Sequence, residues 1–204
     1  MSTTTRAQRK AETRKSVLAA ARQVFLERGY ERATIAAIAQ NAGVSPGTVL
    51  NASPTKIALL NEIMREDFES LGAACESLAA SLSGGVRERT LILLEQHLTR
   101  HFENLDLMSA VFGHCWLGES EVLEEFDSNM SVAWAPILLM LKDAYASNEL
   151  LQDIDPQSLV YTMQDIYLGV LRRAVSRELD MFSASDVLRL RMAHLFQPML
   201  SASA

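Results

Sequence analysis

"GVSPGTVLNASPTKIALL", residues 43–60, is the stretch on which the fold turns. Gly43 suits the left-handed residue that closes a helix. Ser45 followed by Pro46 is a helix start, because the serine oxygen can take a first-turn N–H and proline lacks one where no partner is needed. The helix so begun is short and reaches about Asn51. Ser53 and Pro54 then repeat the start signal, with Thr55 and Lys56 in the first turn of the next helix. Upstream, "ATIAAIAQNAG" reads as a helix capped by Thr34 that turns Ile35, Ile38 and Ala39 inward, with Val44 plugging the turn. A longer helix over residues 9–28 carries Val17, Ala21, Val24 and Phe25 on one stripe and ends at Gly29. Two short helices joined by a glycine turn and braced by a longer one form helix-turn-helix geometry.

The remainder continues in helices. The 204 residues are 49% apolar with only 5 prolines and 9 glycines, a composition that favours an all-α protein with room for a small domain and a larger one. We expect a DNA-binding helix-turn-helix domain at 1–54 and a larger helical domain at 55–204. Further helices are expected at about 55–82, 86–104, 106–117, 121–147 and 156–178, with a last one capped by Ser185 and ending near Leu200. The longest apolar run, 133–141, is interrupted by Pro136 and is too short to span a membrane. No secretory pattern follows the basic start, so a cytoplasmic location is expected. Cys75 and Cys115 are too few for a disulfide framework and read as reduced core thiols.

The net charge of −6 conceals an asymmetry. Residues 1–56 hold nine basic and three acidic side chains, a net of +6, whereas the rest is −12. A basic end on an acidic body points to a polyanion contacted at that end, here double-stranded DNA. Thr48 and Asn51 share a face of the third helix at i and i+3, so both can reach bases. Asn51 can pair bidentately with adenine, Pro46 can touch a thymine methyl and Gly47 permits close backbone approach. Ser45 opens that helix, and Thr34 serves the opposite side of the groove. Lys56 offers an ammonium to a phosphate at the start of the fourth helix. Arg6, Arg9 and Lys10 are expected as a mobile arm.

"FLERGYERATIAAIAQNAGVSPGTV" followed by "PTKIALL" resembles the N-terminal domain of the TetR family of transcriptional regulators, over residues 14–60. The resemblance rests on Phe25, Gly29, Tyr30, Thr34, Ile38, Ala39, Ala42, Gly43, Val44, Ser45, Gly47 and Lys56. One part departs. The family's third helix usually ends in a tyrosine that bonds a phosphate and, three residues on, a phenylalanine that packs inside. Here Leu50, Asn51, Ala52 and Ser53 stand there. Losing a phosphate hydrogen bond costs about 1 kcal/mol. The missing core aromatic needs a neighbour such as Leu50 or Tyr30 to fill its space.

The resemblance implies a homodimeric regulator, a repressor in most such proteins, released from a palindromic operator when a small molecule enters between the fourth and eighth helices. It also implies that the last two helices pair with their copies. Both are apolar on two sides, and a deeper core within one chain would meet that need equally. The expected interface is Leu159, Met163, Ile166, Val170, Leu188, Met192, Leu195 and Met199. Candidates for lining the effector pocket are Phe102, Met108, Phe112, Trp116, Met130, Trp134, Met163, Gln164 and Tyr167, a set suited to an apolar or amphipathic ligand. His97 and His101 stand at i and i+4, but lack acidic or cysteine partners at ligand spacing, so neither a metal nor another cofactor is expected. No catalytic motif is present, and we expect no enzyme. The second reading is a protein of the same fold whose DNA grip has weakened at "VLNAS". Such a protein would act through a protein partner or as an effector-binding module.

Overall fold

The computed structural model describes residues 5–116 and 120–199. Its elements are helices: α1 (Arg6–Arg28), α2 (Ile35–Ala42), α3 (Pro46–Ala52), α4 (Lys56–Ala79), α5 (Val86–Glu103), α6 (Leu105–Trp116), α7 (Ser120–Ala146), α8 (Pro156–Val175) and α9 (Met181–Phe196). The chain is all-α, as its composition suggests. None of the described helices is long and apolar enough to cross a membrane.

Two compact units share these helices. The first runs to Asp67 and takes in Asp106–Asp127. It therefore includes more than the helix-turn-helix segment, adding the first half of α4, nearly all of α6 and the start of α7. Its core is the expected stripe of α1, with Val17, Ala21, Val24 and Phe25 buried together with Ile38, Ala39, Val49, Leu59 and Ile63. Local signals set the helix ends. Thr34 Oγ1 accepts the Ala37 N–H at 3.1 Å, and Ser45 Oγ accepts that of Thr48 at 3.1 Å. Gly43 sits at φ 66°, ψ 30°, and its reversal lets the Val44 N–H reach back to the Ala39 carbonyl at 3.0 Å. On α1, Arg22 donates to Asp67 at 2.8 Å and to the Ile63 carbonyl at 3.2 Å.

Two expectations need correction here. Arg6, Arg9 and Lys10 are not an arm: they occupy the first turns of α1. The reason is a capping box, in which the Gln8 N–H meets Thr5 Oγ1 at 3.3 Å and Gln8 Oε1 takes the Thr5 N–H at 2.6 Å. Ser53 does not cap α4. That role falls to Thr55, whose Oγ1 accepts the Ala58 N–H at 3.1 Å, while Ser53 ends α3.

The second unit comprises Phe68–Leu105 and the chain from Ser128 onward. Within it α9 packs against both α5 and α8. Buried residues line the facing stripes: Leu93, Leu94 and Leu98 on α5, Ile137 and Leu141 on α7, Tyr167 and Leu171 on α8, Phe196 on α9. The α9 start also differs from expectation. Asp180 caps it by accepting the Ser183 N–H at 2.8 Å, and Ser185 lies one turn inside, donating to Glu95 at 3.0 Å. Phe182 obscured this start, because it stands on the outer face at 82% exposure where the pattern of a buried stripe has no place for it.

The expected interface is corrected more deeply. Leu159, Met163, Val170, Leu188 and Met192 are buried within the single chain, so they are core and cannot meet a second subunit. Ile166, Leu195 and Met199 are half-buried.

Close packing of α4 on α7 gives a first test. A Cβ placed on Gly72 would lie 3.0 Å from the Val132 carbonyl oxygen, a backbone atom that cannot swing aside. Gly72→Ala gains about 1 kcal/mol of helix propensity, but small-to-large insertions of this kind cost about 1–3 kcal/mol. We expect a net loss of about 1 kcal/mol, read as a lower urea midpoint at unchanged slope.

Candidate nucleic-acid interface

The short helix α3 is held by its two neighbours, α1 and α2, and presents its outer face to solvent. Val49 is its buried residue, the pin that seats it. Ser45, Pro46, Gly47, Leu50 and Asn51 are exposed, and Thr48 is half-buried. Thr34, at the start of α2, is exposed as well. The geometry brings Thr48 and Asn51 to the rim of a notch of about 180 Å³, whose other wall is Lys10, Thr13 and Arg14 of α1. The polar Thr48 and Asn51 thus meet two basic side chains on one surface. Arg6 and Arg9 are exposed further along α1 and do not line this notch.

Arg14 is the residue that sequence reasoning missed. Its guanidinium donates to the Ala52 carbonyl at 2.7 Å and stands 2.7 Å from the Glu62 carboxylate. A cation at the C-terminal end of α3 complements the helix dipole. The contact joins residues 38 apart, so no local spacing announces it.

Lys56 is placed otherwise than expected. Its ammonium donates to the Tyr30 carbonyl at 2.8 Å, lies 3.4 Å from the Glu31 and Ala33 carbonyls, and sits 4.2 Å above the Tyr30 ring. It ties the turn between α1 and α2 to the start of α4, and its charge is occupied internally. Tyr30 itself is buried against Phe25, with ring centres 5.3 Å apart. Leu50 does not fill the space of an aromatic: it is 46% exposed. Ser53 is buried, and its hydroxyl has no hydrogen-bond partner.

The effector candidates fall in different places. Met108 and Phe112 are buried in the first unit, and the side chain of Trp116 lies outside the described residues. Met130, Trp134, Met163 and Tyr167 are buried in the second unit, where Phe102 and Gln164 are half-buried. Trp134 and Tyr167 meet with ring centres 5.5 Å apart. Around them stand two residues that the sequence marked only for metal binding. His97 is 5.4 Å from the Trp134 ring centre, and His101 Nδ1 is 2.7 Å from the Tyr167 hydroxyl. Among the described residues no group of three or more His, Cys, Asp or Glu could hold a metal. Burial pushes the Cys75 thiol up to about 11, which keeps it protonated and unreactive. Cys115 lies outside the described side chains.

An exposed reading helix pinned by one valine and flanked by basic groups defines a helix-turn-helix DNA-binding protein. Residues 17–63 match the sequence model described as bacterial regulatory proteins, tetR family. The HTH-type transcriptional repressor AcnR of Corynebacterium jeikeium is 26% identical over 173 residues, which cover 82% of this chain and 84% of that protein. The crystal structure of a TetR-family regulator from Mesorhizobium loti superimposes with a TM-score of 0.76 at 14% identity, over 95% of this chain and 99% of that one. Thermus thermophilus FadR, a TetR-family repressor solved with lauroyl-CoA, superimposes at 0.73 and 22% identity, covering 94% and 97%. Residues 17–63 thus carry the DNA-binding segment of the tetR family, and the proteins that the chain resembles along most of its length are transcriptional regulators.

Proposed function

We propose that this regulator is a homodimeric repressor that reads a palindromic operator through α3 and is released from it by a small apolar or amphipathic molecule. The observation that carries the reading is the juxtaposition of Thr48 and Asn51 with Lys10 and Arg14 around one notch. Asn51 and Thr48 read base edges, Pro46 and Leu50 meet thymine methyls, and Arg6, Arg9 and Lys10 face phosphates, while Arg14 holds the end of α3 in place. Thr34, Ser45 and Gly47 are exposed and add hydroxyl and backbone groups to the contact.

The outer faces of α8 and α9 support two-fold pairing. Tyr161 is 58% exposed, Leu190 59% and Phe182 82%. Large apolar groups so placed are candidates for an interface, with the half-buried Ile166, Leu195 and Met199 beside them. A dimer sets two reading heads about one DNA turn apart. The second unit supplies the buried aromatic and methionine groups around which an effector is recognised. It acts by differential affinity for the DNA-competent and released states.

Genome-fragment selection with the purified protein tests this. We expect one enriched palindrome, bound with a steep salt dependence. Asn51→Ala is expected to weaken that site by roughly tenfold or more while leaving random DNA almost unaffected, because base contacts supply discrimination. Selection that enriches nothing, with weak binding at low salt alone, would favour a protein partner instead.

A further inference from the structure

The buried face of α5 carries more polarity than a core needs. Thr90, His97 and His101 share one stripe with Leu93, Leu94 and Leu98, and all six are buried. His101 is satisfied by Tyr167. The other two polar groups lack side-chain partners: the Thr90 hydroxyl has none, His97 has only the Ala133 backbone beside its ring, and the indole N–H of neighbouring Trp134 is also unpaired. Buried polar groups in folded proteins are nearly always paired, and each unpaired one costs about 1–3 kcal/mol. Three such residues thus stand on α5 and α7 of one unit.

We propose that His97 and Trp134, with Thr90 further along α5, form the polar end of the effector site and select an uncharged ligand bearing a hydroxyl group on an apolar body. The inference rests on the reading of the chain as a ligand-released regulator and names the class of ligand. The indole can only donate, whereas neutral imidazole offers one donor and one acceptor. A hydroxyl can accept from Trp134 and donate to the bare nitrogen of His97 at once; a carboxylate could accept from both but would bring a buried charge, and an ammonium cannot use the indole. None of the surrounding rings carries a charge to offset one brought in. Burial, reinforced by neighbouring His101, holds His97 neutral down to about 3, against the opposing effect of a backbone hydrogen bond to Ala133. Leu93 and Leu94 lie on α5 between Thr90 and His97, two helical turns apart, so the ligand body faces hydrocarbon.

The wall that must yield is also identifiable. Pro136 lies inside α7 two residues beyond Trp134, and it deprives the Val132 carbonyl of its helical N–H. Trp134 lies in the turn that loses this bond.

The test is a titration of the full-length protein with four matched probes: 4-propylphenol, 4-propyltoluene, 4-propylbenzoate and 4-propylbenzylammonium. Tryptophan fluorescence and thermal midpoint report binding. We expect the phenol to bind about tenfold more tightly than the hydrocarbon, the worth of a neutral hydrogen bond, and the two ions more weakly still. His97→Leu should bring phenol and hydrocarbon to within about threefold. Trp134→Phe should do the same while keeping the aromatic packing, which guards against a result caused by misfolding. Equal binding of either ion or of the hydrocarbon, an unchanged phenol preference in both variants, or no binding of any probe would overturn the proposal. Operator selection separates this from the broader reading. An operator released by a charged effector would keep the regulator and remove the ligand class; no operator at all would remove the regulator and leave the titration to decide the site.

Discussion

Acidification from pH 6.5 to about 4.5 is expected to remove about 5 kcal/mol of folding stability, most of what a domain of this size possesses. The cause is the histidine pair on α5. Burial pushes His101 down to about 4, with Arg100 adding to the effect, and His97 down to about 3. Both side chains return to ordinary values near 6.5 when the chain unfolds. Between these limits the unfolded state binds more protons than the folded one. Stability is therefore complete above about pH 6.5 and falls as the pH drops toward the folded values. Each histidine contributes up to about 1.4 kcal/mol per pH unit. Three carboxylates that the fold holds low do not explain a loss in this window. Glu88 is held low by its Arg87 hydrogen bond, Asp155 by the Ser158 hydroxyl and Asp180 by the Ser183 N–H, so they weaken the fold only at lower pH. Urea midpoints by circular dichroism between pH 7.5 and 4.5 measure the slope, and His97→Phe should reduce it by about half. A midpoint that stays level between pH 6.5 and 5 would show that these rings are not buried as neutral groups.

The first helices were legible because their signals are local. Thr34, Gly43, Ser45 and Pro46 act within four residues of themselves, and each stands where its chemistry is used. The start of α1 was not read because Thr5 and Gln8 form a capping box outside the apolar stripe that marks the helix body. The outer and inner faces of α8 and α9 were harder. Both are amphipathic on two sides, and sequence cannot say which side meets the chain's own core. Met163 and Met192 went inward, and Tyr161 and Leu190 outward, although methionine and leucine are interchangeable on hydropathy alone. The polar cluster around His97 was legible only as spacing. Its meaning depends on Trp134 and Tyr167, which approach from α7 and α8 and are separated from it by dozens of residues.

Lys56→Met should destabilise the first unit by about 3 kcal/mol yet leave the number of phosphate contacts on DNA unchanged. The ammonium bonds the Tyr30 carbonyl and lies within 3.4 Å of two more, at Glu31 and Ala33. Hydrogen bonds to a charged donor contribute about 1.5–3 kcal/mol, and the cation over the Tyr30 ring adds about 0.5–1 kcal/mol. Methionine keeps the stem but leaves those carbonyls without their donor. The turn between α1 and α2 would loosen, and with it the packing of α2 that seats α3. Operator affinity should then fall through loss of fit, at every salt concentration alike. A phosphate-binding lysine behaves differently, because its removal lowers the slope of log affinity against log salt by about 1. Lys10→Met, on the exposed wall of the notch, supplies that contrast. If Lys56→Met changes the salt slope as Lys10→Met does, and the melting temperature stays put, the ammonium leaves its carbonyls to meet DNA. If only stability and fit suffer, Lys56 is the strut that keeps the reading head in shape, and the charge that grips DNA comes from α1.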